Sequence, residues 1–211
     1  LFTLKLVSEN PYIKKVFFVI DKIEYGLSEI DSICESVELL KKCGKETLAF
    51  SESGDLKTLY LLTFFHKRYS IETGEFFSIL PSSESFFFGK LAKKAGIEIE
   101  SFASGAYKSF GENFSREQYS KQAKENISSL IFSMRNLLLN RFSVSSGLTE
   151  KDLQKPILTS QSLLEKNFFS GFIDEEEFTE NYYLKDFPKS EDDKNESYKI
   201  SSISQIRFMH N

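Results

Sequence analysis

Lys14-Lys15-Val16-Phe17-Phe18-Val19-Ile20-Asp21-Lys22 decides how the rest of the chain is read. Its apolar run is unbroken between charged pairs, whereas a half-exposed strand would alternate apolar and polar. Such a run predicts a strand buried on both faces, as a parallel sheet requires. Upstream, Phe2, Leu4, Leu6 and Val7 read as the end of a helix that Asn10-Pro11 stops, because the residue before proline avoids helical angles. Downstream, Ser28 is placed to cap a helix. Its apolar residues Ile30, Ile33, Val37 and Leu40 recur at steps of three and four, and Gly44 ends it.

The alternation continues along the chain. Thr47-Leu48-Ala49-Phe50 reads as a second strand, and Leu56, Leu59, Tyr60 and Phe64 form a helical face before Tyr69-Ser70-Ile71. Phe76-Phe77-Ser78-Ile79-Leu80 precedes a helix expected from about Glu84 to Ala95, with Gly96 after it and a strand over 97–102. Strands alternating with helices predict an α/β fold with right-handed crossovers, a twisted and largely parallel sheet flanked by helices. From Glu117 to Phe142 the apolar positions keep a helical period, giving one long helix expected to project along the side of the sheet. Leu148-Thr149-Glu150 opens a short helix, Leu158-Thr159-Ser160 a capped turn, and Gly171-Phe172-Ile173-Asp174 an apolar step. Asp174-Glu175-Glu176-Glu177 suits a helix N-terminus, where the macrodipole favours acid. Residues 1–211 are read as a single domain, with 188–195 a mobile acidic loop.

Composition narrows the classes. The 211 residues are 40% hydrophobic and 15% aromatic, too apolar for intrinsic disorder. Lys plus Arg number 27 against 31 Asp plus Glu, so no basic excess exists to neutralise a phosphate backbone, and nucleic acid is not an expected partner. Cys34 and Cys43 fall in one helical stretch, about 13 Å apart along its axis, too far for a disulfide. His66 and His210 have no neighbouring ligand cluster at metal spacing, so no metal is expected. No run of 18 apolar residues crosses a membrane. Residue 1 is Leu, which suggests a trimmed precursor or a fragment from which an anchor was lost.

One segment carries chemistry. Gly105-Ala106-Tyr107-Lys108-Ser109-Phe110, preceded by a strand pattern and followed by Asn113-Phe114-Ser115-Arg116-Glu117 and the long helix, resembles the G-x-Y-K-S segment of the signal peptide peptidase A (protease IV) family. In that family the lysine is the general base. Lys15 to Ile20 is similar to the family's first sheet strand and Gly44 to Phe50 to its second. Phe88 to Ile97 resembles its next helix and strand, and Ser162 to Asp174 the step that closes the domain. The resemblance implies a Clp protease/crotonase-type fold. It also implies a serine peptidase with a Ser-Lys dyad acting on apolar peptides such as signal peptides, without a cofactor. The protein would be a homo-oligomer anchored at the extracytoplasmic (periplasmic) face of the cell membrane.

The departures are equally specific. The family serine, which starts a helix after the second strand, aligns nearest Asp55 or Leu56, neither of which is a nucleophile. The glycine pair after the first strand is Glu24-Tyr25-Gly26 here. A lysine kept and a serine lost resembles the N-terminal half of double-length members, in which two tandem copies share one site. Lys108 is then the candidate general base, and a second repeat or a neighbouring protomer supplies the serine. The end near Ser201-Ser202-Ile203-Ser204 resembles the boundary before such a copy. A lysine general base needs a depressed pKa, which burial beside Ala106, Tyr107 and Phe110 would supply. Ser51 and Ser53 are weaker candidates for a displaced nucleophile, against a turn or helix-capping role. Ser104 and Ser109 flank the lysine as ordinary loop serines, and Phe86-Phe87-Phe88 reads as core or subunit contact rather than a peptide groove. Two rivals remain. One is a non-catalytic structural or regulatory repeat of the same fold in an oligomer. The other is an acyl-CoA enzyme of the crotonase branch, which would need two oxyanion amides and a catalytic carboxylate.

Overall fold

A computed structural model describes residues 2–100, 111–179 and 206–208. These residues form two compact units, one drawn from 1–79 and 139–211 and the other from 80–138.

The first unit begins with α1 (Phe2–Glu9), β1 (Lys15–Val19) and α2 (Leu27–Lys42), followed by β2 (Glu46–Phe50), β3 (Gly54–Asp55) and α3 (Leu56–Leu62), then β4 (Lys67–Ser70) and β5 (Glu75–Phe77). After the second unit come α7 (Glu150–Leu153), β6 (Ile157–Thr159), α8 (Ser160–Glu165), β7 (Gly171–Phe172), α9 (Glu175–Thr179) and β8 (Ile206–Phe208). The main sheet has the order β7-β4-β2-β1-β8. β1, β2, β4 and β7 are mutually parallel and β8 pairs antiparallel with β1. This is the mixed, mostly parallel α/β architecture that the alternation predicts. A smaller sheet, β3-β5-β6, lies beside it in the order of pairing.

The apolar run of β1 is buried on both faces. Phe17 packs edge-on against Phe178 of α9 at 5.8 Å, and Phe18 packs against Phe65 at 4.7 Å, as the two-residue period of a strand dictates. Phe17, Leu48, Phe50 and Phe178 form one cluster, and each fully buried ring contributes about 1.5–3 kcal/mol. α2 turns Ile30, Ile33, Val37 and Leu40 inward as its periodicity predicts. Its N-cap is Gly26 rather than Ser28, because the Glu29 carboxylate reaches back and accepts the Gly26 N–H at 2.8 Å. Gly44, at φ +76°, closes the helix in the left-handed region.

The second unit holds α4 (Gly89–Lys94), α5 (Glu112–Ser115) and the first part of α6 (Lys121–Ser146). α4 starts five residues later than the periodicity predicts. The Phe88 and Gly89 amides donate to the carbonyls of Asn113 and Arg116, and the close approach at Gly89 leaves no room for a Cβ. Ile97 to Glu100 form no strand, although they alternate apolar and acidic. α6 begins at Lys121 rather than Glu117, because the Ser120 hydroxyl accepts the Ala123 N–H and the Ser120 N–H donates to Glu112. Its far end runs to Ser146, past the expected Phe142.

Candidate active site

Ligands of open parallel sheets bind beyond the carboxyl ends of the strands, so the loops after β1 and β2 are the place to look. The chain leaves β1 through Ile20 to Glu24 and leaves β2 through Ser51 to Asp55, and these loops border a cavity of about 730 Å³ that Lys57, Thr58 and Phe77 complete. Ser51 joins the two loops. It is fully buried, and its Oγ lies 2.8 Å from the Ile20 carbonyl oxygen and 2.9 Å from that of Ser53. A hydroxyl held by two carbonyls is a structural pin, and Ser51 is not a displaced nucleophile. Ser53 is exposed, and no base contacts its hydroxyl among the described residues.

α3 starts at the position that the sequence resemblance pairs with the family's nucleophilic serine. Asp55 is its N-cap, with Oδ1 accepting the N–H groups of Lys57 at 2.9 Å and Thr58 at 3.0 Å. Leu56, the alternative alignment, is buried apolar core. The carboxylate therefore satisfies the free donors of the first helical turn and is no nucleophile. Lys57 folds back over the cavity. Its Nζ donates to the carbonyls of Ile23 at 2.9 Å and Tyr25 at 3.3 Å, and lies 3.6 Å from Asp55 Oδ2. The Gly26 amide, part of the degenerate glycine pair, is occupied by Glu29. The helix start, the cleft and the Gly26 amide are thus occupied by the capping carboxylate of Asp55, the ammonium of Lys57 and the carboxylate of Glu29.

Lys108, the candidate general base, lies outside the described residues, as do Ser104, Ser109 and the loop 188–195. Phe86 and Phe88 are exposed, while Phe87 packs edge-on against Tyr119 at 4.8 Å, so the triplet is not core as a block. Asp174 immediately precedes α9 and accepts the Glu177 N–H at 2.7 Å, the helix-start role expected of the acidic run.

Elsewhere the titratable groups are structural. Cys34 is buried and Cys43 exposed, both free. Burial, with the nearby Asp31 charge, pushes the Cys34 thiol up to about 12, so it carries no thiolate at neutral pH. Burial also raises the Tyr60 phenol, whose OH donates to Asp31 at 2.9 Å. Among the described residues no group of three metal-ligating side chains exists. Lys57 and Glu29 are the residues that sequence reasoning missed. Glu29 was legible as the third residue after a capping position, whereas nothing in the spacing of Lys57 foretells that it reaches back to a loop more than thirty residues earlier.

A mostly parallel sheet whose second strand leads into a helix start beside the first loop defines a Clp protease-like α/β protein. Residues 64–181 match peptidase family S49, more than half of the chain. The chain belongs to that family, the signal peptide peptidase A family. It is 26% identical over 164 residues to "Serine protease SPPA, chloroplastic" of Arabidopsis thaliana. The alignment covers 78% of this chain and 24% of that relative, so the chain spans about a quarter of the relative's length. Among the described residues no helix is long and apolar enough to cross a membrane.

Proposed function

We propose that this chain is the lysine-contributing half of a serine peptidase that cuts apolar peptides, signal peptides among them, through a Ser-Lys dyad. Lys108 is the general base and the serine comes from a second repeat or a neighbouring protomer of a homo-oligomer. The observation that supports this reading is Asp55. The position where a self-sufficient copy needs its hydroxyl holds a carboxylate committed to capping α3. In the mechanism, the neutral Lys108 amine takes the serine proton as the hydroxyl attacks the peptide carbonyl, and backbone amides hold the oxyanion. Collapse expels the amine product with the proton from lysine, and water then releases the acyl group by the reverse roles. Family resemblance supports action at the extracytoplasmic face of a membrane.

The test is turnover of an apolar peptide by the intact protein. Lys108→Ala should abolish it while circular dichroism stays unchanged, because the substitution removes the proton acceptor and introduces neither bulk nor charge. Near-normal turnover by that variant would exclude the dyad. The triple occupation by Asp55, Lys57 and Glu29 favours a second reading, a structural repeat that contributes no catalytic group. In that case Lys108→Ala shifts assembly or thermal stability and leaves turnover untouched.

A further inference from the structure

We propose that the middle of α6 is an interface, and that its occupant is the same stretch of a second copy of this chain, running antiparallel. This rests on the proposed homo-oligomer and names a surface through which its protomers meet. Ala123 and Leu138 are buried, and none of the fourteen residues between them is, a length of about 21 Å of helix. Ile127, Leu130, Met134 and Leu137 nevertheless recur there at steps of three, four and three, which puts them on one side of α6. That is the spacing of a coiled-coil seam. Leu130 is 61% and Leu137 55% exposed, while Ile127 and Met134 are half-buried. A contiguous apolar stripe left open to water marks a contact surface, whereas scattered apolar residues would not.

Charge narrows the occupant. Residues 126–140 carry a single charged side chain, Arg135, among serines and asparagines. A helix that lies on a lipid surface carries several lysines and arginines on its polar face, and this one does not. A strongly charged protein partner would find little to pair with. Two identical copies are complementary. A twofold axis at residue 132 sets Ile127 of one copy against Leu137 of the other and Leu130 against Met134, so each contact occurs twice, as an isologous interface requires. Arg135 then falls level with Ser129 of the second copy, and the two helix dipoles oppose. A parallel pair would bring the two Arg135 side chains level and align the dipoles, both unfavourable.

Sedimentation equilibrium of the intact protein over a dilution series tests this. Leu130→Glu and Met134→Lys, each alone, should weaken association by about tenfold or more, since each buries an unpaired charge in the seam. Mixed in equal amounts, the two variants should associate again with near wild-type affinity, because the antiparallel register places the new carboxylate against the new ammonium. Circular dichroism checks that each is folded, and Leu137→Glu with Ile127→Lys is a second pair with the same expected rescue should Met134→Lys not fold. Association that neither substitution changes overturns the seam and leaves the homo-oligomer standing, whereas a wild-type monomer at every concentration removes both. Weakening without rescue overturns the antiparallel pairing. A monomer that binds phosphatidylglycerol vesicles, and loses them with Leu130→Glu, gives the face to a lipid surface and overturns the proposal. Turnover by the dyad is read separately through Lys108→Ala, so the two readings fail by different measurements.

Discussion

Asp55 carries two consequences that can be separated by substitution. As an N-cap it holds two amides, so Asp55→Ala should cost about 1 kcal/mol of stability, read as a lower melting temperature. Asp55→Ser should stay within a few tenths of a kcal/mol of wild type, since serine caps as well. It should also confer no peptidase activity on residues 1–211, because the Gly26 amide and the loop carbonyls remain occupied. Activity in that variant would show that the cleft is catalytically complete apart from its nucleophile. Asp152 offers a pH-resolved test of a similar cap. Burial opposes its charge, but the N–H and hydroxyl of Thr149 and the Lys166 ammonium at 3.1 Å outweigh this and lower its pKa to about 2. A depressed carboxylate stabilises the fold above its unfolded pKa of about 3.9, and that contribution is lost as pH falls toward 2. Asp152→Asn should therefore be less stable at neutral pH and show a flatter acid-unfolding slope between pH 4 and 2.

At the scale of elements, the seam between β2 and β4 is closed by a side chain. His66 Nδ1 accepts the Thr47 N–H at 3.1 Å, while the His66 N–H donates to the Thr47 carbonyl at 3.0 Å. The acceptor role requires an unprotonated Nδ1. Burial lowers the His66 pKa, and the Lys41 charge adds to it. A histidine with a depressed folded pKa contributes stability that is complete above its unfolded value near 6.5 and declines as pH falls below it. His66→Ala should be less stable at pH 7.5 and lose less on acidification to pH 5 than the wild type does, a comparison that chemical denaturation at the two pH values makes directly. A reversed or absent difference would remove His66 from the seam. Gly74 is a steric counterpart: a Cβ there would lie 2.4 Å from both the Glu52 carbonyl oxygen and the Ser160 hydroxyl. Gly74→Ala should cost about 1–3 kcal/mol, since backbone cannot yield cheaply. The elements themselves were largely legible. β1, α2, β2 and α3 follow from runs and periods that only a buried strand or an amphipathic helix satisfies. The start of α4 was not, because it depends on backbone contacts with Asn113 and Arg116 that no local pattern encodes, nor was the missing strand at Ile97–Glu100, whose alternation meets no partner strand among the described residues.

At the scale of the molecule, the mostly parallel sheet was legible because burial on both faces leaves an unbroken apolar run, and the family was legible from the ordered resemblance of several segments around Gly105 to Phe110. β8 was not, since a three-residue antiparallel addition to β1 has no period to read. The cleft was legible only as a set of losses; the groups filling it required coordinates. One expectation spans the whole chain: residues 1–211, folded by circular dichroism, should not hydrolyse apolar peptides, and turnover by them would contradict the proposal of a site shared between two halves. The capping carboxylate of α3 also bears on how such a protein arises. After a gene duplication, a copy relieved of chemistry can exchange its nucleophile for aspartate at no cost to folding, because the first turn of the helix is served equally by either residue. Selection for a stable protein would not resist that drift. Tandem relatives should accordingly carry Asp, Asn, Ser or Thr at this place in their inactive copies far more often than alanine, and the erosion of a catalytic centre would be invisible to any screen that measures stability alone.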